Sequence, residues 1–191
     1  LTRSASVTGT QAAINRAGVS DAMAHQIAII SRAMKRDVET LVLANGVVNT
    51  GSATAARTTA GLSSYVATNV TVGHSGSPTN PTDTSGGTDA RGDGTARALT
   101  EALLKVELKN CFDNSGDQPN MIMVDSTSKQ VISGFSGRSS ATQMVALPGK
   151  ADEVNANVSV YIGDFGTYTV HANRFQRSKD CWLINPEYAK I

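Results

Sequence analysis

The stretch LTEALLKVELKNCFDNSGDQPNMIMVDSTSKQVISGFSG, residues 99–137, decides the fold class that the sequence predicts. Apolar side chains recur at helical spacing in its first part, so we predict a helix over residues 96–112. The predicted apolar face of this helix consists of Leu99, Leu103 and Val106. Glu101 and Lys105 stand four residues apart, in the order that stabilises a helix. The stretch therefore begins with an amphipathic helix.

A short strand and a second helix complete the stretch. Residues 121–125, MIMVD, are apolar enough to form a strand at the centre of a sheet. Ser126 is expected to cap the helix that follows. The apolar residues of that helix are Val131, Ile132 and Phe135, and its predicted stops are Gly134 and Gly137.

Three more strands are predicted downstream, over residues 158–164, 166–172 and 180–185. Asp164, Phe165 and Gly166 are predicted to form a tight hairpin turn between the first two of these strands. A helix, a strand, a helix and then an antiparallel group is the pattern of an α+β domain.

A long helix is predicted upstream, over residues 20–44. Ser20 can cap it, Asp21 suits its first turn, and Asn45-Gly46 is expected to end it. Its apolar residues form one stripe: Ile27, Ile30, Met34, Val38 and Leu41. A helix of this length needs a long partner surface, and the rest of the sequence offers little that is elongated. We therefore expect the stripe to pack against segments outside this sequence or against neighbouring subunits.

Two polar segments flank that helix. Residues 1–10 alternate loosely and are rich in Ser and Thr, which predicts an exposed strand or hairpin arm that Gly9 would end. Residues 71–95, TVGHSGSPTNPTDTSGGTDARGDGT, contain almost nothing to bury. We expect them to form an exposed flexible loop.

The bulk composition excludes several classes of protein. The 191 residues carry a formal net charge of +1, which argues against a dedicated nucleic-acid binder. No apolar run approaches the roughly 20 residues that span a membrane, and we expect no membrane partner. Cys111 and Cys181 are expected to be buried free thiols, with a single disulfide as the alternative. The chain opens without an initiator Met, so we expect it to be a fragment.

The motifs that resemble functional sites are incomplete. Residues 73–77, GHSGS, have Ser where a nucleophile elbow requires Gly. His25, His74 and His171 lack the spacing of metal ligands. The sequence therefore predicts no catalytic residue, no cofactor and no metal ligand. Arg91-Gly92-Asp93 is an integrin-type tripeptide, which leaves a surface adhesion module as an alternative function, and an enzyme without a recognisable motif as a third.

Several stretches, in matching order, resemble the tailed-bacteriophage major capsid proteins of the Hong Kong ninety-seven-type coat fold. They are SVTGTQAAINRAG with RAMKRDVET, AGLSSYVATNV, the stretch quoted above and, most specifically, IGDFGTYTVHANRFQRSKDCWLINPEYAKI. The resemblance is interrupted in the Gly/Ser/Thr-rich loop and around residues 139–155. It implies a phage coat-protein fold with a long spine helix and an axial domain whose central sheet is flanked by helices.

The same resemblance implies a division of the chain. Residues 1–12 would be the returning strand of an extended loop, residues 13–60 the spine helix of the peripheral domain with its connection, and residues 61–191 the axial domain. An N-terminal arm and a C-terminal peripheral strand would lie outside this sequence.

The implied function is that of a structural subunit, with no enzymatic activity, of an icosahedral phage head. Copies would assemble into pentamers and hexamers that enclose double-stranded DNA, in the virion after assembly in the host bacterial cytoplasm. Scaffold, portal or decoration proteins would be further partners, and contact with the packaged DNA would be weak and non-specific. Candidate inter-subunit contacts are Arg32, Lys35, Arg36, Arg174 and Arg177, since Arg pairs bidentately with carboxylates.

Overall fold

A four-stranded mixed sheet with helices against it forms the C-terminal half of the chain. The structure is a computed structural model that describes residues 1–14, 18, 21–73, 75–82, 86–135 and 159–188. Its helices are α1 (Gly9–Ala13), α2 (Ala22–Leu43), α3 (Glu101–Asn114) and α4 (Ser126–Ser133), and a short 3-10 turn spans Leu62–Ser64. Its strands are β1 (Met121–Val124), β2 (Val160–Gly163), β3 (Gly166–Ala172) and β4 (Cys181–Ile184). The predicted α+β class is confirmed.

The strand order is β2-β3-β1-β4. β1 runs parallel to β3 and antiparallel to β4, so the apolar run at Met121–Val124 takes the central position that the sequence predicts. β2 and β3 form an antiparallel hairpin in which Gly163 pairs with Gly166. Asp164 and Phe165 are the two residues between them, which confirms the predicted turn.

One face of the sheet carries the apolar core. Alternate side chains of the strands meet α3 and α4 there, and Ile122 and Tyr168 are wholly buried. α3 contributes Leu104 and Leu108 to this core. The predicted apolar face is confirmed at Leu99, which packs against the core, and is wrong at Val106, which is 51% exposed. Adjacent leucines at 103 and 104 fit two different helical faces, and the sheet selects the second.

The N-terminal ends of three helices differ from the predicted ones. α3 begins at Glu101, five residues after the predicted start, because the Thr100 side chain accepts a hydrogen bond from the Leu103 N–H. Asp125, and not Ser126, caps α4 by accepting from two backbone N–H groups. Asp21 caps α2 in the same way, and Ser20 lies outside the described residues. In the last two cases a carboxylate stands next to the predicted serine and accepts the bonds.

The N-terminal segment is not the predicted strand. Residues 1–8 form no β-strand pairing with any described residue, and Gly9 begins helix α1 instead of ending a strand. Thr8 caps this helix, since its hydroxyl accepts from the Gln11 N–H at 3.3 Å. Arg3 forms an ion pair with Asp37 of α2. Local capping thus outweighs an alternating pattern that has no neighbouring strand to pair with.

The cysteines are both free thiols, as expected. Cys111 lies half-buried on α3, whereas Cys181 is exposed at the start of β4. The expectation that both thiols are buried is therefore wrong, since Cys111 is only partly buried and Cys181 is exposed. β4 is an edge strand of the sheet, which exposes its first residue.

The segment of residues 71–95 has neither helix nor strand among its described residues, and most of these are exposed. It is nevertheless tied to the end of α2. Asn45, just beyond that helix, donates from Nδ2 to the Arg91 carbonyl at 2.6 Å and accepts from the Arg91 N–H at 3.0 Å. An isolated bridge joins Thr79 to Gly92. Hydrogen bonds hold this part of the segment where an apolar core is missing.

A small polar core forms at this junction, consisting of Asn45, Ser63, Ser64 and Arg91. The Ser63 hydroxyl donates to Asn45 Oδ1 at 2.9 Å, and the Ser64 hydroxyl donates to the Gly46 carbonyl at 2.8 Å. Both serines are almost fully buried. Buried hydroxyls are tolerated because each has a hydrogen-bond partner.

Candidate assembly surface

Helix α2 presents an apolar stripe to solvent. Within the part of the chain that the structure describes, Leu43 is the sole buried residue of this helix. Ile27 is 52% exposed, Val38 is 40% exposed and Leu41 is 38% exposed, while Ile30 and Met34 are half-buried. A contiguous row of exposed apolar side chains is a feature of protein interaction surfaces. The stripe predicted from the sequence is therefore exposed in this structure.

The stripe also borders a shallow depression. Its lining residues are Ser31, Met34, Lys35 and Val38. By helical spacing, Lys35 stands beside the stripe, whereas Arg32 and Arg36 lie on the far side of α2. The surface thus combines apolar side chains with one adjacent ammonium group.

The charges of α2 are unevenly used. Its two acidic residues have partners, since Asp37 pairs with Arg3 and Glu39 accepts from Asn173 Nδ2 at 2.7 Å. Among the described residues, no ion pair involves the exposed basic residues of the helix, which are Arg32, Lys35 and Arg36. The helix therefore leaves three basic side chains without an ion-pair partner in the described ranges, and Lys35 is the one beside the apolar stripe.

The other two predicted contact residues lie away from α2, in the connection between β3 and β4. Arg174 is exposed and has no ion-pair partner in the described ranges. Arg177 is engaged within the chain: its guanidinium pairs with Asp93, and its Nη1 lies 3.4 Å from Asp180 Oδ2. The structure thus brings Arg177 together with the polar segment 71–95 and not with the α2 surface.

The Arg91-Gly92-Asp93 tripeptide is used inside the chain. The Arg91 guanidinium donates to Asn80 Oδ1 at 2.6 Å, to the Ser63 carbonyl at 3.3 Å and to the Val66 carbonyl. Asp93 pairs with Arg177 and with Lys179. Both charged ends of the tripeptide are occupied, so nothing in this geometry supports the adhesion alternative.

Burial sets the electrostatics of this cluster. Desolvation lowers the pKa of Arg91, and the nearby carboxylates of Asp180 and Asp93 oppose that shift. Desolvation likewise raises the pKa of Asp180, against the opposing effect of Arg177. A guanidinium keeps its proton at any physiological pH, so Arg91 remains a cation among its carbonyl acceptors.

Sequence reasoning missed Asn45 and Arg91 as partners. The sequence marks Asn45 only as a helix stop and Arg91 only as part of an exposed loop. Their hydrogen bonds join positions 46 residues apart, and no periodicity marks such a pair. The sequence shows only that residue 92 is a glycine; in the structure, a Cβ there would lie 2.3 Å from the Thr79 hydroxyl oxygen. A glycine at a close backbone approach indicates a packed loop.

No cluster of three or more His, Cys, Asp or Glu side chains able to hold a metal ion is found among the described residues. His25 and His171 are exposed, and His74 lies outside the described residues. None of the helices in the described ranges is both long and apolar enough to span a membrane.

Comparison with known proteins identifies the family. The SU10 major capsid protein family matches residues 1–191, which is the entire sequence. No curated protein was found to match the chain. The family assignment is consistent with the mixed α+β architecture. The chain therefore belongs to the SU10 major capsid protein family and is a structural protein of a bacteriophage capsid.

Proposed function

We propose that this chain is the self-assembling subunit of an icosahedral phage head, and that α2 supplies a principal contact surface. The observation that carries the proposal is the exposed apolar stripe of α2, defined by Ile27, Ile30, Met34, Val38 and Leu41. The sheet has its own closed core, so the chain does not depend on that stripe to bury its strands. In the shell, protein from neighbouring subunits or from other segments of the subunit covers the stripe.

The energetics favour assembly through repeated modest contacts. Removing apolar surface from water stabilises a contact by roughly 25 cal/mol per Å². One helical stripe gives a weak contact by this measure. Closed symmetry repeats the same contact around pentamers and hexamers, and the shell as a whole gains the summed stability.

The proposed division of the chain follows the coat-protein resemblance. α2 is the spine helix of the peripheral domain, and residues 61–191 are the axial domain around the sheet. Residues 1–12 belong to the extended loop, and residues 9–12 of it are helical. The unpaired backbone of residues 1–8 and their tie to α2 through Arg3 support this assignment.

The ionic contacts between subunits come from the unpaired basic residues. Four of the candidates are exposed and have no ion-pair partner among the described residues: Arg32, Lys35, Arg36 and Arg174. Arg177 already pairs with Asp93, so it is a weaker candidate for a contact between subunits. A net charge of +1 supports only weak, non-specific contact with the packaged double-stranded DNA. Scaffold, portal or decoration proteins are further partners. The subunit carries out no catalysis and assembles in the host bacterial cytoplasm before it enters the virion.

Electron microscopy of the intact gene product that contains this chain tests the proposal. Expression in a bacterial host is expected to give uniform shells, or isolated pentameric and hexameric rings. A gene product that stays monomeric at high concentration, with the other head proteins of its phage present, would contradict it. Mass photometry on the same sample distinguishes rings from irregular aggregates.

A further inference from the structure

Two parts of the described chain have separate cores, and each is called a unit below. The first is the sheet with α3 and α4, which share one apolar core. The second is the C-terminal end of α2 with the loop around Arg91, which the polar core of Asn45, Ser63, Ser64 and Arg91 holds together. No residue of the second unit belongs to the apolar core of the first within the described ranges. Hydrogen bonds and ion pairs join the two units.

Those polar contacts converge on the connection between β3 and β4. From the second unit, Asp93 pairs with Arg177 and with Lys179, and Glu39 accepts a hydrogen bond from Asn173. One further contact, from Thr71 to Glu107, reaches α3. The two units thus meet through charged and polar side chains.

The connection itself is firmly attached to the sheet. Gln176 is buried, and its Nε2 donates to the Met123 carbonyl at 2.9 Å and to the Asp180 carbonyl at 2.7 Å. The Asn173 N–H donates to the Val124 carbonyl at 2.8 Å. The connection therefore moves with the sheet.

Asp93 is equally attached on its own side. It lies two residues from Arg91, whose guanidinium and backbone bind the polar core. Asp93 thus moves with the loop and the end of α2. Its ion pairs are partly exposed, with side-chain exposures of 22% for Arg177, 30% for Asp93 and 52% for Lys179. The pair with Lys179 is the most exposed, and an exposed ion pair contributes at most about 1 kcal/mol.

We propose that Asp93, Arg177 and Lys179 form a releasable ionic joint that sets the angle between α2 and the sheet. When the joint opens, the two units turn relative to each other while each keeps its own fold. Polar contacts between units favour relative motion, whereas a shared apolar core would prevent it. The inference concerns the single subunit, so it does not depend on the proposed assembly.

A distance measurement on the full chain tests the joint. Spin labels are placed on the far side of α2 and on β3 through Ile29→Cys and Thr167→Cys, both at exposed positions. Cys111→Ser and Cys181→Ser remove the native thiols. The test variant is Asp93→Asn, which removes the charge and keeps the shape. The matched control is Asp113→Asn, which breaks the exposed pair of Lys109 and Asp113 within α3.

A shifted second population of label distances is expected in Asp93→Asn and not in Asp113→Asn. Asp93→Glu, which retains the charge, should keep the single population. Amide exchange should show unchanged protection for the Thr79–Gly92 bridge and for β1 in all three variants. An unchanged distance distribution in Asp93→Asn would overturn the proposal. Loss of Thr79–Gly92 protection in that variant would overturn it too, because Asp93 would then hold the fold of the loop and not an angle.

Discussion

Asn45 and Arg91 form a two-way hydrogen-bonded pair in which a side-chain amide takes the place of a neighbouring backbone. Asn45 Nδ2 donates to the Arg91 carbonyl at 2.6 Å, while the Arg91 N–H donates to Asn45 Oδ1 at 3.0 Å. The same Oδ1 also accepts from Ser63. One asparagine thus joins the end of α2, the turn at Leu62–Ser64 and the loop around Arg91.

Asn45→Ala is expected to lower the free energy of unfolding by about 2 kcal/mol, because it leaves part-buried donors and acceptors without partners. Urea denaturation measures the change. The control is Asn49→Ala, which removes one exposed hydrogen bond to the Gly51 N–H and should cost less than about 1 kcal/mol. Equal losses in the two variants would contradict the central role of Asn45.

Gly61 allows the same junction to close. A Cβ at this position would lie 1.6 Å from the Ala44 carbonyl oxygen, which is backbone and cannot move aside. Gly61→Ala should therefore destabilise the chain by about 2 kcal/mol or more. Gly116→Ala is the control, since nothing lies within 4 Å of its added methyl group. Thermal unfolding followed by circular dichroism should separate the two variants, and a matching midpoint would argue against the close approach.

Asp125 caps α4, and its titration has a defined sign. Burial by itself would raise its pKa, but hydrogen bonds from Ser128 and Thr127 outweigh burial and hold that pKa below its usual value. The stabilisation is therefore present at neutral pH and is lost as pH falls through the folded-state pKa. Asp125→Ala should cost about 1 kcal/mol at pH 7 and less in acid. Ser126→Ala should change stability little at either pH; a larger loss than in Asp125→Ala would restore serine as the cap.

Asp180 should show the opposite pH dependence. Burial raises its pKa above the unfolded value, although Arg177 opposes the shift. Its contribution to stability is therefore complete at low pH and is lost as pH rises through the folded-state pKa. Asp180→Asn should have the same free energy of unfolding as the parent chain at pH 3 and a higher one at pH 7. Urea denaturation at each pH measures this difference. A variant whose free energy of unfolding falls relative to the parent chain between pH 3 and pH 7 would contradict the predicted pH dependence.

The sheet and α2 were predictable because their signals are local. Alternation along β3 and helical spacing along α2 report residues that are near neighbours in the sequence. The face of α3 was not predictable in the same way, since Leu103 and Leu104 both fit an apolar stripe and contact with the sheet decides between them. Cap positions shifted wherever a carboxylate adjoined a serine.

The polar core was beyond reach for a different reason. Asn45 and Arg91 are hydrophilic residues separated by a long polar segment, and composition alone predicts that such a segment stays in water. Its order comes from hydrogen bonds and close glycine contacts, which leave no periodic signal. The exposed apolar stripe of α2, by contrast, was predictable, because the sequence shows a long apolar helix face with little to cover it.

Two matched variants of α2 test whether its apolar stripe holds subunits together. Ile27 lies in the apolar stripe of α2, and Ile29, exposed to a similar degree, lies on the opposite side of the helix. Ile27→Asp and Ile29→Asp are introduced into the intact gene product, and the fraction in particles is measured by sedimentation and electron microscopy. We expect Ile27→Asp to abolish particles and Ile29→Asp still to form them. Equal assembly of the two variants would contradict it.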